Sequence, residues 1–97
     1  MKKYSYLFVN LELSEPQRVV QSSHAAIEAG RNLIKKGDVH PNLVVIGIKN
    51  ETKLIKILKE ISEHVKCCSF FDFGMVTSFI TEPVVDRNRF ERFSILK

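Results

Sequence analysis

The run Leu43 to Ile48 (LVVIGI) holds six consecutive residues without a polar side chain. A strand of that kind has no solvent face, so it belongs to a sheet covered on both sides, as in layered α/β domains. The segments around it supply the covering layers. Ser14-Glu15-Pro16-Gln17 combines a serine N-cap, a glutamine three residues on and a proline in the first turn, where a missing amide costs nothing. This predicts a helix running to about Lys36 and ended by Gly37. Along it Val20, Ser23, Ile27, Gly30 and Ile34 recur at helical spacing, and Val19, Ala26 and Leu33 widen the stripe into an expected core face. Gln17, Gln21, His24, Glu28 and Arg31, with Arg18 alongside, fall on the opposite side. Asn50 caps a second predicted helix, with Leu54, Ile57, Leu58, Ile61 and Val65 inward and Lys53, Lys56, Lys59, Glu60 and Glu63 toward solvent.

Three further strands complete the pattern. Tyr4 to Asn10 is aromatic and β-branched, and Cys67 to Phe71 and Met75 to Thr81 flank Asp72-Phe73-Gly74, a short turn in which glycine takes positive φ. Glu82-Pro83 stops the last strand, Asp86 to Arg92 reads as a short amphipathic turn or helix, and Phe93 to Leu96 as an apolar segment docked on the body. The order βαβαββ predicts a three-layer α/β/α sandwich around a four-stranded mixed sheet, with a right-handed first crossover. At 97 residues the whole chain, 1–97, is expected to be one domain.

Composition removes several classes of function. The formal charge of +4 is compatible with an anionic partner, though short of a dedicated nucleic-acid clamp. The lysines of the second helix read either as solvation or as an RNA patch. No apolar stretch approaches the roughly 18 residues of a membrane span, and Met1-Lys2-Lys3 leads into polar and acidic residues rather than a signal-peptide core. A cytoplasmic protein without membrane contact is therefore the expectation. Cys67 and Cys68 are adjacent, which disfavours a disulfide between them, and no zinc-ligand spacing or phosphate-cradling glycine loop occurs, so neither metal nor cofactor is expected. Asp72-Phe73-Gly74 matches the metal-binding triplet of protein kinases, but the lysine strand and catalytic loop of a kinase are missing.

The remaining candidates gather at one end of the predicted sheet. A strand followed by a capped helix sets Gln17, Arg18 and Gln21 near the strand's carboxyl end, where open α/β sheets bind ligands. Gln21 exchanges no proton at neutral pH, so its part would be hydrogen bonding and positioning. His24, one turn on, is either a proton carrier or a helix histidine bonded to a neighbouring segment. Asp72 is either a functional carboxylate or a turn aspartate accepting local amides, and Thr77 either a site hydroxyl or a strand former.

The run Val19-Val20-Gln21-Ser22-Ser23-His24-Ala25-Ala26, following the strand end Val9-Asn10-Leu11, resembles the Ala-Ala-Gln-x-x-His-Ala signature on the first helix of type 2 peptidyl-tRNA hydrolases. Asp72-Phe73-Gly74 is similar to that family's Asp-Ala-Gly, and Thr77 to Pro83 to its threonine-initiated fourth strand ending in proline. The order and spacing of elements agree over nearly the whole chain. The resemblance implies the family's fold and cleavage of the ester joining a peptide to the terminal ribose of tRNA, without a metal cofactor and typically as a dimer. It implies Asp72, Thr77 and Gln17 as the catalytic residues, Gln17 standing where the family carries a lysine and polarising the ester in place of a cation, and Pro16 standing where it carries a glycine. The interval from Asp72 to the fourth strand is shorter than the family's, and the threonine after Asp-Ala-Gly has no counterpart. Arg18, Gln21, His24 and Arg31 are the expected substrate contacts, with tRNA or peptidyl-tRNA as partner. A catalytically inactive relative that binds RNA through Arg18, Arg31, Arg87, Arg89 and Arg92, or a protein through its helix, is the alternative. So is hydrolysis of another ester or amide by a rearranged site. The run Phe70-Phe71 followed by Phe73 permits a homodimer surface and equally a core.

Overall fold

Two strands at the centre of the sheet are its most completely buried elements. The computed structural model describes residues 2–95. Its elements are β1 (Tyr4–Asn10), α1 (Glu15–Asn32), β2 (Asn42–Ile48), α2 (Glu51–Ser62), β3 (Cys67–Asp72), β4 (Met75–Thr81) and a 3-10 turn at Asn88–Phe90. The sheet order is β2-β1-β4-β3, with β1 and β2 parallel and β4 antiparallel to both of its neighbours. Ser5 through Asn10 are all buried, as are Thr77 through Thr81. The expected mixed α/β sheet of four strands and two helices is therefore present.

Alternation along β1 separates two cores. Tyr6 and Phe8 join Ile46, Ile48, Phe79 and Phe90 beneath Leu54 and Ile61 of α2. Leu7 and Val9 point the other way and join Ile80 beneath Ala25 and Ala29 of α1. One helix thus covers each face, giving three layers. The α2 side is aromatic: Phe8 stacks on Phe79 with ring centroids 4.4 Å apart, Tyr6 stacks on Phe90 at 3.9 Å, and Phe93 meets Phe8 edge-on at 5.1 Å. Arg87 clamps this region, its Nε donating to the Tyr6 hydroxyl at 2.6 Å while the guanidinium lies 3.9 Å over the Tyr4 ring. Ile95 bridges to Ile46 at the sheet edge, so the terminal apolar segment does dock; Leu96 lies outside the described residues.

Leu43 to Ile48 forms an edge strand with Leu43 exposed, and both of its faces are covered in part, Val44, Ile46 and Ile48 by the α2-side core and Val45 by the α1-side core. Two expectations are corrected. The first helix stops at Asn32, where Leu33 and Ile34 both donate to the Ala29 carbonyl, and Gly37, at φ 92, serves the following turn instead of the helix end. Most of the expected core face of α1 is the outer one, although Leu33, just past the helix end, does pack on the core beneath α1. Val19, Val20, Ser23, Ile27 and Gly30 are exposed, whereas Gln21, Ala25 and Ala29 are buried. The reason is closeness: two alanines let the helix backbone approach Leu7, Val9 and Ile80, and Gln21 is drawn in by polar partners on the sheet.

Candidate active site

The site is assembled at the carboxyl end of β1 on the α1 side of the sheet. A bulge makes it possible. Phe70 pairs with Ser78 but Phe71 pairs with Val76, so Thr77 is an extra residue in β4. Strict alternation would aim Thr77 and Ser78 at opposite faces, whereas the bulge lets both hydroxyls reach α1. Thr77 Oγ1 lies 2.8 Å from the Gln21 side-chain oxygen and 3.1 Å from the Phe70 carbonyl, and Ser78 Oγ donates to the Gln21 main-chain carbonyl at 3.0 Å.

Gln21 carries the connection outward. Its Nε2 donates to Asp72 Oδ2 at 3.0 Å, and Phe73 N–H donates to Asp72 Oδ1 at 2.8 Å. One hydrogen-bonded chain thus runs from the fully buried Thr77 through Gln21 to the exposed Asp72, tying two residues of the β3–β4 hairpin to a helix residue far away in sequence. The Asp72 carboxylate, an acceptor, fixes which end of the Gln21 amide faces it, because a reversed amide would set oxygen against oxygen, and the Gln21 oxygen is thereby left to accept from Thr77. Each Asp72 oxygen accepts one bond and retains a further lone pair toward solvent. Among the described residues Asp72 has no ion-pair partner.

The turn beside Asp72 is strained. Phe73 has φ 54 and Gly74 φ 73, the double positive-φ requirement of a two-residue type I′ hairpin. Glycine meets it freely, but a bulky side chain meets it at a cost. The Phe73 ring is nonetheless exposed.

The other candidates are arranged differently. Gln17 is occupied in a capping box, its Oε1 accepting from Ser14 N–H at 3.0 Å while its own N–H donates to Ser14 Oγ at 3.3 Å. Arg18 folds back on the loop after β1, with Nε on the Leu13 carbonyl at 2.9 Å and a terminal nitrogen on the Leu11 carbonyl at 2.7 Å. His24 stacks on Phe70 with centroids 4.6 Å apart and rings within 4° of parallel, so it borders the trio without bonding to it. Arg31 sits in the last turn of α1, paired with Glu28 at 3.5 Å. Among the other arginines proposed for RNA, Arg92 pairs with Glu60 at 2.7 Å and Arg87 is held by the two tyrosines.

Ser78 is the member that sequence reasoning missed, because only the bulge reveals that it shares a face with Thr77. Among the described residues no group of three or more His, Cys, Asp or Glu is placed to hold a metal ion. Cys67 and Cys68 are free, and burial, reinforced by the neighbouring Cys68 thiol and Glu82, pushes the Cys67 thiol up to about 12. No protein-family model and no curated protein matches this chain.

Proposed function

We propose that this chain is a divergent, shortened type 2 peptidyl-tRNA hydrolase-like domain that hydrolyses the ester between a peptide or N-acyl amino acid and tRNA. The observation that carries the reading is the continuous hydrogen-bonded chain from Thr77 through Gln21 to Asp72, at the sheet end where such folds bind ligands. In this mechanism Asp72, using the lone pairs its two fixed oxygens retain, takes a proton from a water that attacks the ester carbonyl and returns it to the ribose oxygen as the acyl–oxygen bond breaks, releasing the free acid and the tRNA hydroxyl. Gln21 and the Phe73 amide hold the carboxylate in one orientation, and Thr77 holds Gln21. No metal or organic cofactor is required by these roles.

A second reading has its own observation. With Gln17 in the helix cap and Arg18 on two loop carbonyls, the first turn of α1 offers no free cation beside Asp72. The same surface around Asp72 then binds the aminoacyl end of tRNA, or a protein, without turning it over.

Incubation with N-acetylated aminoacyl-tRNA separates the two. The hydrolase reading expects cleavage above background that falls to a small but measurable residual rate in Asp72→Ala with the fold retained, and faster cleavage in Gln17→Lys despite loss of half the capping box. Absence of cleavage by the folded wild-type protein and by Gln17→Lys refutes it. Binding of tRNA that weakens with rising salt supports the second reading instead.

A further inference from the structure

The two edges of the sheet are finished differently. β2 is bridged on its open side by Ile95, whereas among the described residues no strand lies beyond β3. Which main-chain groups β3 offers there follows from its pairing. Glu82 N–H donates to the Lys66 carbonyl at 2.8 Å, the Phe70 carbonyl lies 3.1 Å from Thr77 Oγ1, and Asp72 closes the two-residue turn with Met75. Lys66, Cys68, Phe70 and Asp72 therefore face β4, and alternation turns the N–H and C=O groups of Cys67, Ser69 and Phe71 to the open edge. Exposed edges are normally blunted by lysine, proline or a bulge. β3, Cys-Cys-Ser-Phe-Phe-Asp, has no lysine and no proline, and the extra residue of the bulge is on β4. Ser69 and Phe71 are exposed, and the strand ends at Asp72.

We propose that this edge is the docking track for the peptide of the substrate, which adds to β3 as a further, parallel strand. The inference rests on the hydrolase reading for its occupant and extends that reading from the ester to the chain behind it. Direction follows from the chemistry. The ester carbonyl is the carboxyl end of the peptide and must reach Asp72, at the carboxyl end of β3, so the peptide runs back toward Cys67 in the same sense as β3. At about 3.3 Å per residue, about four or five peptide residues span from Phe71 to Cys67. Main-chain pairing reads no side-chain sequence, which suits substrates defined by an ester and a backbone. It also sets a preference for length, because an N-acyl amino acid lacks the amides that would pair with Ser69 and Cys67. Phe71, 66% exposed, offers an apolar contact to the peptide side chain on its own face of the sheet.

Two stable analogues test this, a tetrapeptide and an N-acetyl amino acid, each joined by an amide to the terminal ribose of a tRNA-acceptor hairpin. Affinity for them is read whether or not the ester is hydrolysed, so failure of this inference shows separately from failure of the hydrolase reading. The tetrapeptide analogue is expected to bind at least about tenfold more tightly. Ser69→Pro removes one outward N–H and no bond to β4. It should weaken the tetrapeptide analogue about three- to tenfold and leave the N-acetyl analogue unchanged, with circular dichroism to confirm the fold. A tetrapeptide N-methylated at the amides that face β3 should bind like the N-acetyl analogue, which keeps the test intact if Ser69→Pro does not fold. In hydrogen exchange the Ser69 amide is expected to be open in the free protein and slowed by the tetrapeptide analogue. Equal affinity for the two analogues, or binding of neither, overturns the proposal. So does a Ser69→Pro loss shared by both, indifference to N-methylation, or a Ser69 amide already protected in the free protein, as pairing with a second copy would make it.

Discussion

The two faces of the sheet are built from opposite materials. On the α2 side Phe8, Phe79, Phe90 and Tyr6 stack under Leu54 and Ile61, and the contacts are almost wholly apolar. On the α1 side Leu7, Val9 and Ile80 form a smaller core under two alanines, and the space next to it is filled by Gln21, Thr77 and Ser78 joined by hydrogen bonds. The aromatic face anchors the fold. The thinner face gives up apolar area and gains a fixed polar chain that ends in an exposed carboxylate. Candidate chemistry therefore sits where the core is weakest.

The largest expected effect lies on the aromatic side. Phe8→Ala empties a fully buried site that touches Phe79, Phe90 and Phe93, and is expected to cost about 3–5 kcal/mol in urea unfolding. Thr77→Val is nearly isosteric but strips the buried Gln21 oxygen of its donor, and should cost about 1–3 kcal/mol by the same measurement. If the two losses came out equal, the division between an anchoring face and a positioning face would fail. Phe73→Asn runs the other way. It exchanges a bulky residue at φ 54 for one suited to a type I′ turn, and a gain of about 1 kcal/mol in thermal unfolding is expected.

How much of this was legible in the sequence depends on the kind of signal. The strands, both N-caps and the inward residues of α2 were readable because apolar spacing and capping chemistry act locally. The orientation of α1 was not. Its outer stripe is more apolar than its inner one, and spacing alone cannot say that alanines and a glutamine are the residues wanted against a polar-lined sheet face. Gln21, Asp72 and Thr77 were each visible as candidates, but their convergence depends on a bulge at Thr77 that no local propensity announces. Gln17 was read both as a capping residue and as the occupant of a catalytic position, and its hydrogen bonds are those of the cap.

The smallest effect concerns the cysteine pair on β3. Burial raises both thiols, Cys67 the more, so alkylation at mildly alkaline pH should label Cys68 before Cys67. Because the folded state holds the Cys67 proton more tightly than the unfolded chain, this group's contribution to stability is constant below 9.0 and is lost as pH rises from there toward about 12. Cys67→Ala should flatten that part of the unfolding profile.

The central claim, that Gln21 works only through Asp72, is tested most directly by a double-mutant cycle on the single-turnover cleavage of N-acetylated aminoacyl-tRNA. Gln21→Leu is expected to slow the wild-type reaction at least about tenfold and to have no further effect in an Asp72→Ala background. Losses that multiply independently would show that the two residues act separately, and would contradict the account.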